Sequence, residues 1–562
     1  MRPWLMVVLL VACGGAQSGG SSEVRSIHDF PEPAKLDERL AAAPAPESLL
    51  SEAVTEAEGW RIEGDLPETP APEPHESDSP EGRLILGAAA SRPSVEATAA
   101  AHCLARETAD HWLRTGRYAA RGHRRFLAAR CGVTGSSLSL LAVPLAETES
   151  VDDASADLLR YLEEHLDGEG LRHVGLAVAR KDTGSGVAML AVEHAIARLH
   201  IVRPKPTDQG FVLVRGRILK DVRYVTGYLN QGTDRVMECE RANNLSLPEF
   251  AIRCVMDPAD DHASLDVVAY EPDRMLGEAV ASLLVRRDDA TIRDYEMRPV
   301  GASTTPPNAD EFARAVVSRV NGIREAGGLG RLRLAASQSQ KMVRAVPHFF
   351  APDADGELQD LIALTMIAGW NVEGLVQDAS FSSSQVRERD VSRWVAYALE
   401  RPFMRHTLLA PEADALAVSA LVEPGGVSAL FTHYELFDET RPRFDDVAVA
   451  ILDRITEVRV ARGLPAPTEV RDNSALQAEV DRVRTDGKDI DDALEVALRR
   501  SVRQWNHAIT GFWMHVGGNP GAFTVPDSLL QPGELYLQAA ATFHRAPGAP
   551  WGQYLVFLVT TR

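Results

Sequence analysis

The sequence predicts a multidomain chain of α/β plus β class, in which α/β units flank an antiparallel β-sandwich. Three observations carry that prediction. Apolar residues at helical spacing alternate with short apolar runs in residues 83–200; the period changes to two between 202 and 298; and helical periodicity returns at Asn308 in a pattern that recurs downstream. At 562 residues there is room for roughly three to five domains.

Residues 1–13 come first. Met1 and Arg2 give a charged start, an apolar run follows to Ala12, and Leu10-Val11-Ala12 ends in Cys13. The run is too short to span a bilayer but long enough for a cleaved signal, and its shape resembles a bacterial lipoprotein signal. That resemblance implies lipidation of Cys13 and a membrane partner reached through the lipid. Several acyl chains give lasting attachment where one gives only marginal binding. Gly14 in place of an acidic residue points to the outer membrane of a bacterial envelope. Residues 14–82 are rich in Gly, Ser, Pro, Ala and acid, the composition of a disordered tether that buries too little apolar surface to order itself. A short helix over 49–60 is the one element expected within it.

The net charge is −21, with much of the acidic excess before residue 83, and this argues against a nucleic-acid partner, which requires a basic face. No later segment is apolar for long enough to cross a membrane. Of five cysteines, four remain after Cys13. Three pairings are open to them, and the local one, Cys103 with Cys131 and Cys239 with Cys254, keeps each bridge within one patterned segment. No CxxC and no histidine at ligand spacing accompanies them, so no metal is expected there.

In residues 83–200 the periodicity predicts helices over 97–115, 124–129 and 157–166, and strands over 139–143, 174–178 and 187–192. Lys181-Asp-Thr-Gly-Ser-Gly186 reads as the loop of a hairpin. His102, His111 and His123 read as solvated residues on charged helix and turn surfaces. Between 202 and 298, short β-rich runs over 211–218, 223–229, 235–240, 249–256, 264–270 and 279–285 have the spacing of a sandwich. Cys239 and Cys254 fall on neighbouring strands across the Asn243-Asn244 turn. The pattern resembles the immunoglobulin-like spacer modules of bacterial surface proteins.

From Asn308, Phe312, Val316, Val320 and Ile323 make one helical stripe stopped at Gly327-Gly328. With an offset of 135, Arg319, Val320, Arg324, Gly328 and Leu329 reappear as Arg454, Ile455, Arg459, Gly463 and Leu464. Later, Leu408-Leu409-Ala410-Pro411 parallels Leu529-Leu530-Gln531-Pro532, and two apolar strands follow each. Residues 308–437 and 443–562 are therefore two related units. Residues 83–200 also close on a helix and paired strands, which leaves open a third, more remote copy.

Asn321-x-x-Arg324-x-x-x-Gly328-Leu329-x-x-Leu332 resembles the opening helix of the CAP superfamily, the cysteine-rich secretory, antigen 5 and pathogenesis-related proteins. A second helix over 337–346, the Pro352-Asp353 loop, Gly374, and Arg401-Pro402-Phe403-Met404-Arg405-His406-Thr407-Leu408-Leu409 follow in the order of that family's motifs. The resemblance implies an α/β/α three-layer fold with a central cleft lined by two histidines and two acids that can hold a metal. The chain departs from that set. Met404 stands where a histidine is expected, Leu375 where the middle glutamate is expected, and Phe349 where the loop histidine is expected, with His348 one residue away. Met, Leu and Phe do not replace imidazole and carboxylate as ligands, so neither metal nor cofactor is expected.

Displaced candidates remain: His348, Glu373, His406, His433 and Glu435, with His433 and Glu435 two apart on one strand face. HExxH, Gly-x-Ser-x-Gly and GxxxxGK[ST] signatures are absent. Trp370, Trp394, Trp505 and Trp513 fit either a core or a sugar- or lipid-binding groove. The expected function is non-catalytic binding or display of a protein, glycan or lipid ligand at the cell envelope. The alternative is a surface hydrolase using a rearranged site of His348, His433 and Glu435.

Overall fold

The computed structural model describes residues 30–43, 48–50, 61–63 and, apart from short interruptions, 76–486 and 509–561. The signal with Cys13, the predicted helix beyond Leu50, the Asn243-Asn244 turn, the Pro352-Asp353 loop and Trp505 lie outside the described residues. Residues 29–436 form one compact unit, and 437–562 belong to another.

Within the stretch 14–82 expected as a tether, residues 33–42 are helical. Helix α1 (Pro33–Ala42) opens on a proline and buries Leu36. It lies beside residues of the middle unit: Trp370 Nε1 donates to the Pro31 carbonyl at 3.0 Å, Arg39 pairs with Asp355 at 2.8 Å, and Arg344 pairs with Asp37. Further on, the Ser48 hydroxyl and the backbone N–H groups of Leu49 and Leu50 donate to the Glu423 carboxylate at 2.6, 3.0 and 3.0 Å. Composition reported little apolar surface, but a few specific anchors suffice to dock such a segment. Strand β1 (Arg61–Glu63) follows.

The first α/β unit runs α2 (Pro80–Ala90), β2 (Val95–Ala97), α3 (Ala99–Thr115), α4 (Arg121–Cys131), β3 (Ser137–Leu145), α5 (Ser155–Glu164), β4 (Leu171–Arg180) and β5 (Gly186–Ala195). Ser79 caps α2 and Thr98 caps α3, each accepting an N–H of the first turn, and α3 ends at Gly116 in the left-handed region. The sheet order is β2-β4-β5-β3, with β2 parallel to β4 and the rest antiparallel. Ile85 and Leu158 pack on one face with Val174 and Val192; Leu104 and Phe126 pack on the other with Ala177 and Met189. The Cys103–Cys131 disulfide ties α3 to the end of α4. His111 and His123 are buried between these helices rather than solvated, and His102 Nδ1 meets the Leu176 carbonyl at 2.8 Å. Around His111, Asp110 and Arg114 point outward while the imidazole turns in.

The sandwich comprises β6 (Ala197–Val202), β7 (Phe211–Ile218), β8 (Tyr224–Gln231), β9 (Arg235–Glu238), β10 (Glu240–Arg241), β11 (Glu249–Val255), β12 (His262–Tyr270) and β13 (Glu278–Arg286). Two antiparallel sheets, β10-β11-β7-β6 and β13-β12-β8-β9, share a core that includes Val214, Leu229, Phe250 and Leu265. Strand β6 begins five residues earlier than the pattern of period two indicated, because it continues from β5 almost without a break. The Cys239–Cys254 bridge joins the crossing between β9 and β10 to β11. A Cβ on Gly227 would stand 2.5 Å from Ile252 and 3.1 Å from the Cys239 sulfur, so glycine makes room for the bridge. After the sandwich, β14 (Asp294–Glu296) pairs antiparallel with β1.

The middle α/β unit consists of α6 (Ala309–Ala326), β15 (Arg333–Leu334), α7 (Ala336–Met342), α8 (Val346–Phe349), α9 (Gly356–Ala368), β16 (Leu375–Val386), α10 (Val391–Glu400), α11 (Pro402–Leu409), β17 (Ala415–Glu423) and β18 (Gly426–Phe437). Its sheet order, β15-β17-β18-β16, repeats that of the first unit, with β15 parallel to β17. Phe312, Trp394 and Phe431 stack edge-on between α6, α10 and one sheet face, with ring centroids 5.3 and 5.6 Å apart. Trp394 is thus a core residue. On the other face, the Tyr434 hydroxyl donates to the Met366 carbonyl of α9, and Phe349 of α8 meets Phe381 of β16.

The C-terminal unit holds α12 (Phe444–Ala461), β19 (Thr468–Glu469), α13 (Ser474–Asp486), β20 (Ile509–Gly517), β21 (Tyr536–Arg545) and β22 (Gly552–Thr561). Its sheet order is again the same, β19-β21-β22-β20.

The two stretches that repeat in the sequence are the two sides of one contact. Arg324, wholly buried, donates from Nε to the Gly330 carbonyl at 2.6 Å and from its two amino groups to Ala410 and Ala413 at 2.8 and 3.2 Å. Arg459 does the same to Pro465, Gln531 and Gly533 at 2.9, 3.3 and 2.9 Å, and also to Leu529. Gly328 and Gly463 follow with φ of 74 and 73°, each allowing the next leucine N–H to return to the arginine's carbonyl.

Inside residues 29–436 a second buried cluster joins three modules. Arg125 of α4 and Arg401, which precedes α11, reach Asp266 of β12 at 2.9 and 3.3 Å, and Ser282 donates to the same carboxylate. Burial alone would raise the Asp266 pKa; the two guanidiniums outweigh it and hold it low.

Candidate functional site

Strand alternation in the middle unit decides which polar groups meet. On β18, Phe431, His433 and Glu435 share one face, and His433 meets α11 through its Nδ1, 2.9 Å from the Thr407 carbonyl. On β16, Ser380 and Ser382 contact the Thr407 hydroxyl at 3.3 and 2.6 Å, so Asp378, at the same parity, also faces α11. Helix α11 contributes His406, whose ring centroid lies 5.9 Å from that of His433. Gln377 Nε2 closes on Glu435 at 3.4 Å. Four ionisable side chains therefore gather in one recess: His406, His433, Asp378 and Glu435.

Burial differs among them. His433 and Glu435 are 3% and 6% exposed, while His406, Asp378 and Gln377 keep part of their surface open. Desolvation lowers both imidazoles, His406 to about 4 and His433 to about 3, the latter also through His406 and the Arg324 guanidinium. It raises the carboxyls, Asp378 to about 6 and Glu435 to about 8, Glu435 also through the Asp378 charge. Glu412 adds repulsion to both. At neutral pH the rings are neutral and the two carboxyls together hold about one proton. A backbone carbonyl only accepts, so His433 Nδ1 carries the ring hydrogen and Nε2 presents its lone pair.

The sandwich reaches the same place. Tyr228 of β8 lies with its ring centroid 5.9 Å from His406 and 5.4 Å from Phe403. Tyr228 in turn belongs to an aromatic patch with Tyr224 and Tyr270.

Of the candidates named from sequence, His433 and Glu435 come together with His406. His348 does not: it sits on α8, whose neighbour Phe349 packs against Phe381 on the opposite sheet face. Glu373 is exposed and pairs with Arg333 at 2.8 Å. Met404 is buried in the apolar core and Leu375 is buried at the start of β16, so the positions where the family resemblance places two ligands are apolar here. Asp378 escaped the sequence reading, although the alternation Asp378, Ser380, Ser382, set against Ala379 and Phe381, marks a polar stripe on one strand face. Among the described residues, no three His, Cys, Asp or Glu side chains lie close enough to share a metal ion. A cavity of about 430 Å³ elsewhere, lined by Val300, Gly301 and residues of α6, shares no residue with the recess. No described helix is long and apolar enough to cross a membrane.

No protein-family model matches the sequence, and no curated protein matches it. Among solved structures, the chain is similar to an extracellular protein containing an SCP domain from Bacillus anthracis str. Ames, at 12% identity over 42% of this chain and 88% of that one, with a TM-score of 0.18. A cysteine-rich secretory protein from Staphylococcus aureus subsp. aureus Mu50 is similar at 10% identity over 43% and 83%, with a TM-score of 0.19.

Proposed function

We propose that this chain is a lipid-anchored protein of the bacterial cell envelope, built on degenerate CAP-like units, that binds a ligand in the recess of its middle unit without turning it over. The observation that carries this reading is the chemistry of the recess. Its histidines are neutral, and the better buried one is oriented by a backbone carbonyl rather than a carboxylate, so it lacks the partner that stabilises an imidazolium during acid/base work. The N-terminal pattern ending at Cys13 supports the anchor. Incubating the purified chain with cell-wall fragments and identifying what stays bound by mass spectrometry tests the reading. Intact ligand is expected, and cleaved product would overturn it.

One observation favours a second reading, a hydrolase. Asp378 and Glu435, at about 6 and about 8, titrate on either side of neutrality, as a general acid and base pair would. Cleavage of wall material that disappears in both Asp378→Asn and Glu435→Gln would move the conclusion there.

A further inference from the structure

We infer that the cavity between α6 and residues 300–301 is a binding site separate from the recess, and that it takes an organic carboxylate with a small apolar body, its charge met by Arg319. The site shares no residue with the recess, so it stands whichever reading of the recess holds.

The walls are fixed before any ligand arrives. The cavity measures about 430 Å³, within the range of small-molecule sites, and is lined by Val300, Gly301, Ser318, Arg319 and the end of α6. On the loop side, the Val300 N–H donates to the Ser392 carbonyl at 3.0 Å, and the Ser303 hydroxyl and Thr304 N–H donate to the Asp390 carboxylate that caps α10. On the helix side, Val316 and Val320 seat α6 in the core.

Arg319 brings a charge that the fold leaves unpaired. Its Nη2 donates to the Ala302 carbonyl at 2.6 Å and to the Thr304 hydroxyl at 3.2 Å, which holds the guanidinium in place. Its Nε and Nη1 make no hydrogen bond, and it pairs with no carboxylate among the described residues. Gly301 has φ of 77°, and a Cβ there would stand 2.8 Å from Nη1, so glycine lets the guanidinium lie close to the loop.

The C-terminal copy provides an independent observation. At the offset of 135, Arg319 becomes Arg454 and Gly322 becomes Glu457, and these two pair at 3.4 Å on α12. The middle unit lacks that acid. Gly322 lies inside α6, where glycine is the poorest helix former after proline, and a Cβ there would meet nothing within 4 Å. Neither a left-handed φ nor close packing requires it. Its effect is to leave the partner position of Arg319 open, on the wall of the cavity.

The class of ligand follows. One guanidinium balances one negative charge, and no second cation lines the cavity, which suits a carboxylate better than a phosphate. Val300, Ile323 and Ala326 offer apolar wall to a short aliphatic body.

The test is isothermal titration of the full chain with four probes: N-acetyl-leucine, N-acetyl-leucine amide, acetyl-Ala-Ala-Leu with a free carboxylate, and inorganic phosphate. Binding of the two acids, at least tenfold weaker binding of the amide, and a loss of about tenfold or more in Arg319→Gln and in Gly322→Glu are expected. The second variant places the other copy's carboxylate beside Arg319, in open space and with better helix propensity, so its thermal melt should be no lower than that of wild type. Tighter binding of the peptide than of N-acetyl-leucine would assign the site to a chain end, and the reverse to a free acid. Equal binding of acid and amide, acid binding unchanged by either substitution, phosphate bound more tightly than both acids, or no binding of either acid would each overturn the inference.

Discussion

The middle and C-terminal α/β units share a sheet order, a glycine in the left-handed region after the first helix, and an arginine clamped on carbonyls from two distant segments. They differ where chemistry is possible. The row that starts at the last residue of the short parallel strand reads Leu334, Leu416, His433 in the middle unit and Glu469, Leu537, Thr560 in the C-terminal one. In the first unit it reads Ala97, Val174, Val192. The clamp tolerates drift because backbone carbonyls are present whatever the side chains are. The recess has no such protection: one substitution in the row removes it.

The sharpest way to break this comparison is to remove the clamps. Arg324→Met and Arg459→Met each leave several buried carbonyls unanswered, and each should cost about 3–5 kcal/mol. Denaturant titration gives the magnitude, and hydrogen exchange read by mass spectrometry gives the place, with protection lost only in the unit carrying the substitution. A cost under about 1 kcal/mol for either would mean that the two arginines are not equivalent fasteners.

The recess should instead show itself in the pH dependence of stability. Glu435 titrates near 8 in the folded chain against an ordinary value of 4.5, so between those values the native state holds a proton that the unfolded chain has released. Stability from this group therefore falls as pH rises through that window, and Asp378 adds the same sign up to about 6. His406 and His433 act oppositely. Their native rings stay neutral to about 4 and 3 while unfolded ones charge near 6.5, so their contribution falls as pH drops below 6.5. Glu238, raised to about 7 by burial, titrates in the same interval, so the Glu435 contribution is the difference between wild type and Glu435→Gln, a decline on the order of 1–2 kcal/mol between pH 6.5 and 8 that the variant should lack. Wild-type and Glu435→Gln curves that run parallel there would place Glu435 in contact with water.

How much of this was legible in the sequence depended on what each feature leaves in the string of residues. The clamp was legible, because a contact between two chain segments leaves two matching stretches at each copy: Arg324 with Ala410, Arg459 with Gln531. Helices such as α6 and α3 declared themselves through spacing. Docking of residues 30–43 and 48–50 did not, since it rests on Leu36 and Leu50, two residues in a stretch whose average composition is that of a tether, and on the distant acceptor Glu423. The recess was half legible. His433 and Glu435 share a face by alternation alone, but Asp378 and His406 join them only through the packing of α11 on β16.

His348 supplies the smallest expected effect and the finest discrimination. It was singled out because it stands one residue from a family position, and nearness along a helix of one turn says nothing about which sheet face that helix covers. In the fold, Phe349 and Phe381 place α8 against the face turned away from His433. His348→Ala should therefore change stability by no more than about 0.5 kcal/mol and leave its pH dependence between 6.5 and 8 unchanged, in contrast to Glu435→Gln. Parallel titrations of the two variants decide the matter. A loss in His348→Ala that equals the loss in Glu435→Gln would mean that both faces of the sheet serve one site, and the separation of frame from recess would no longer hold.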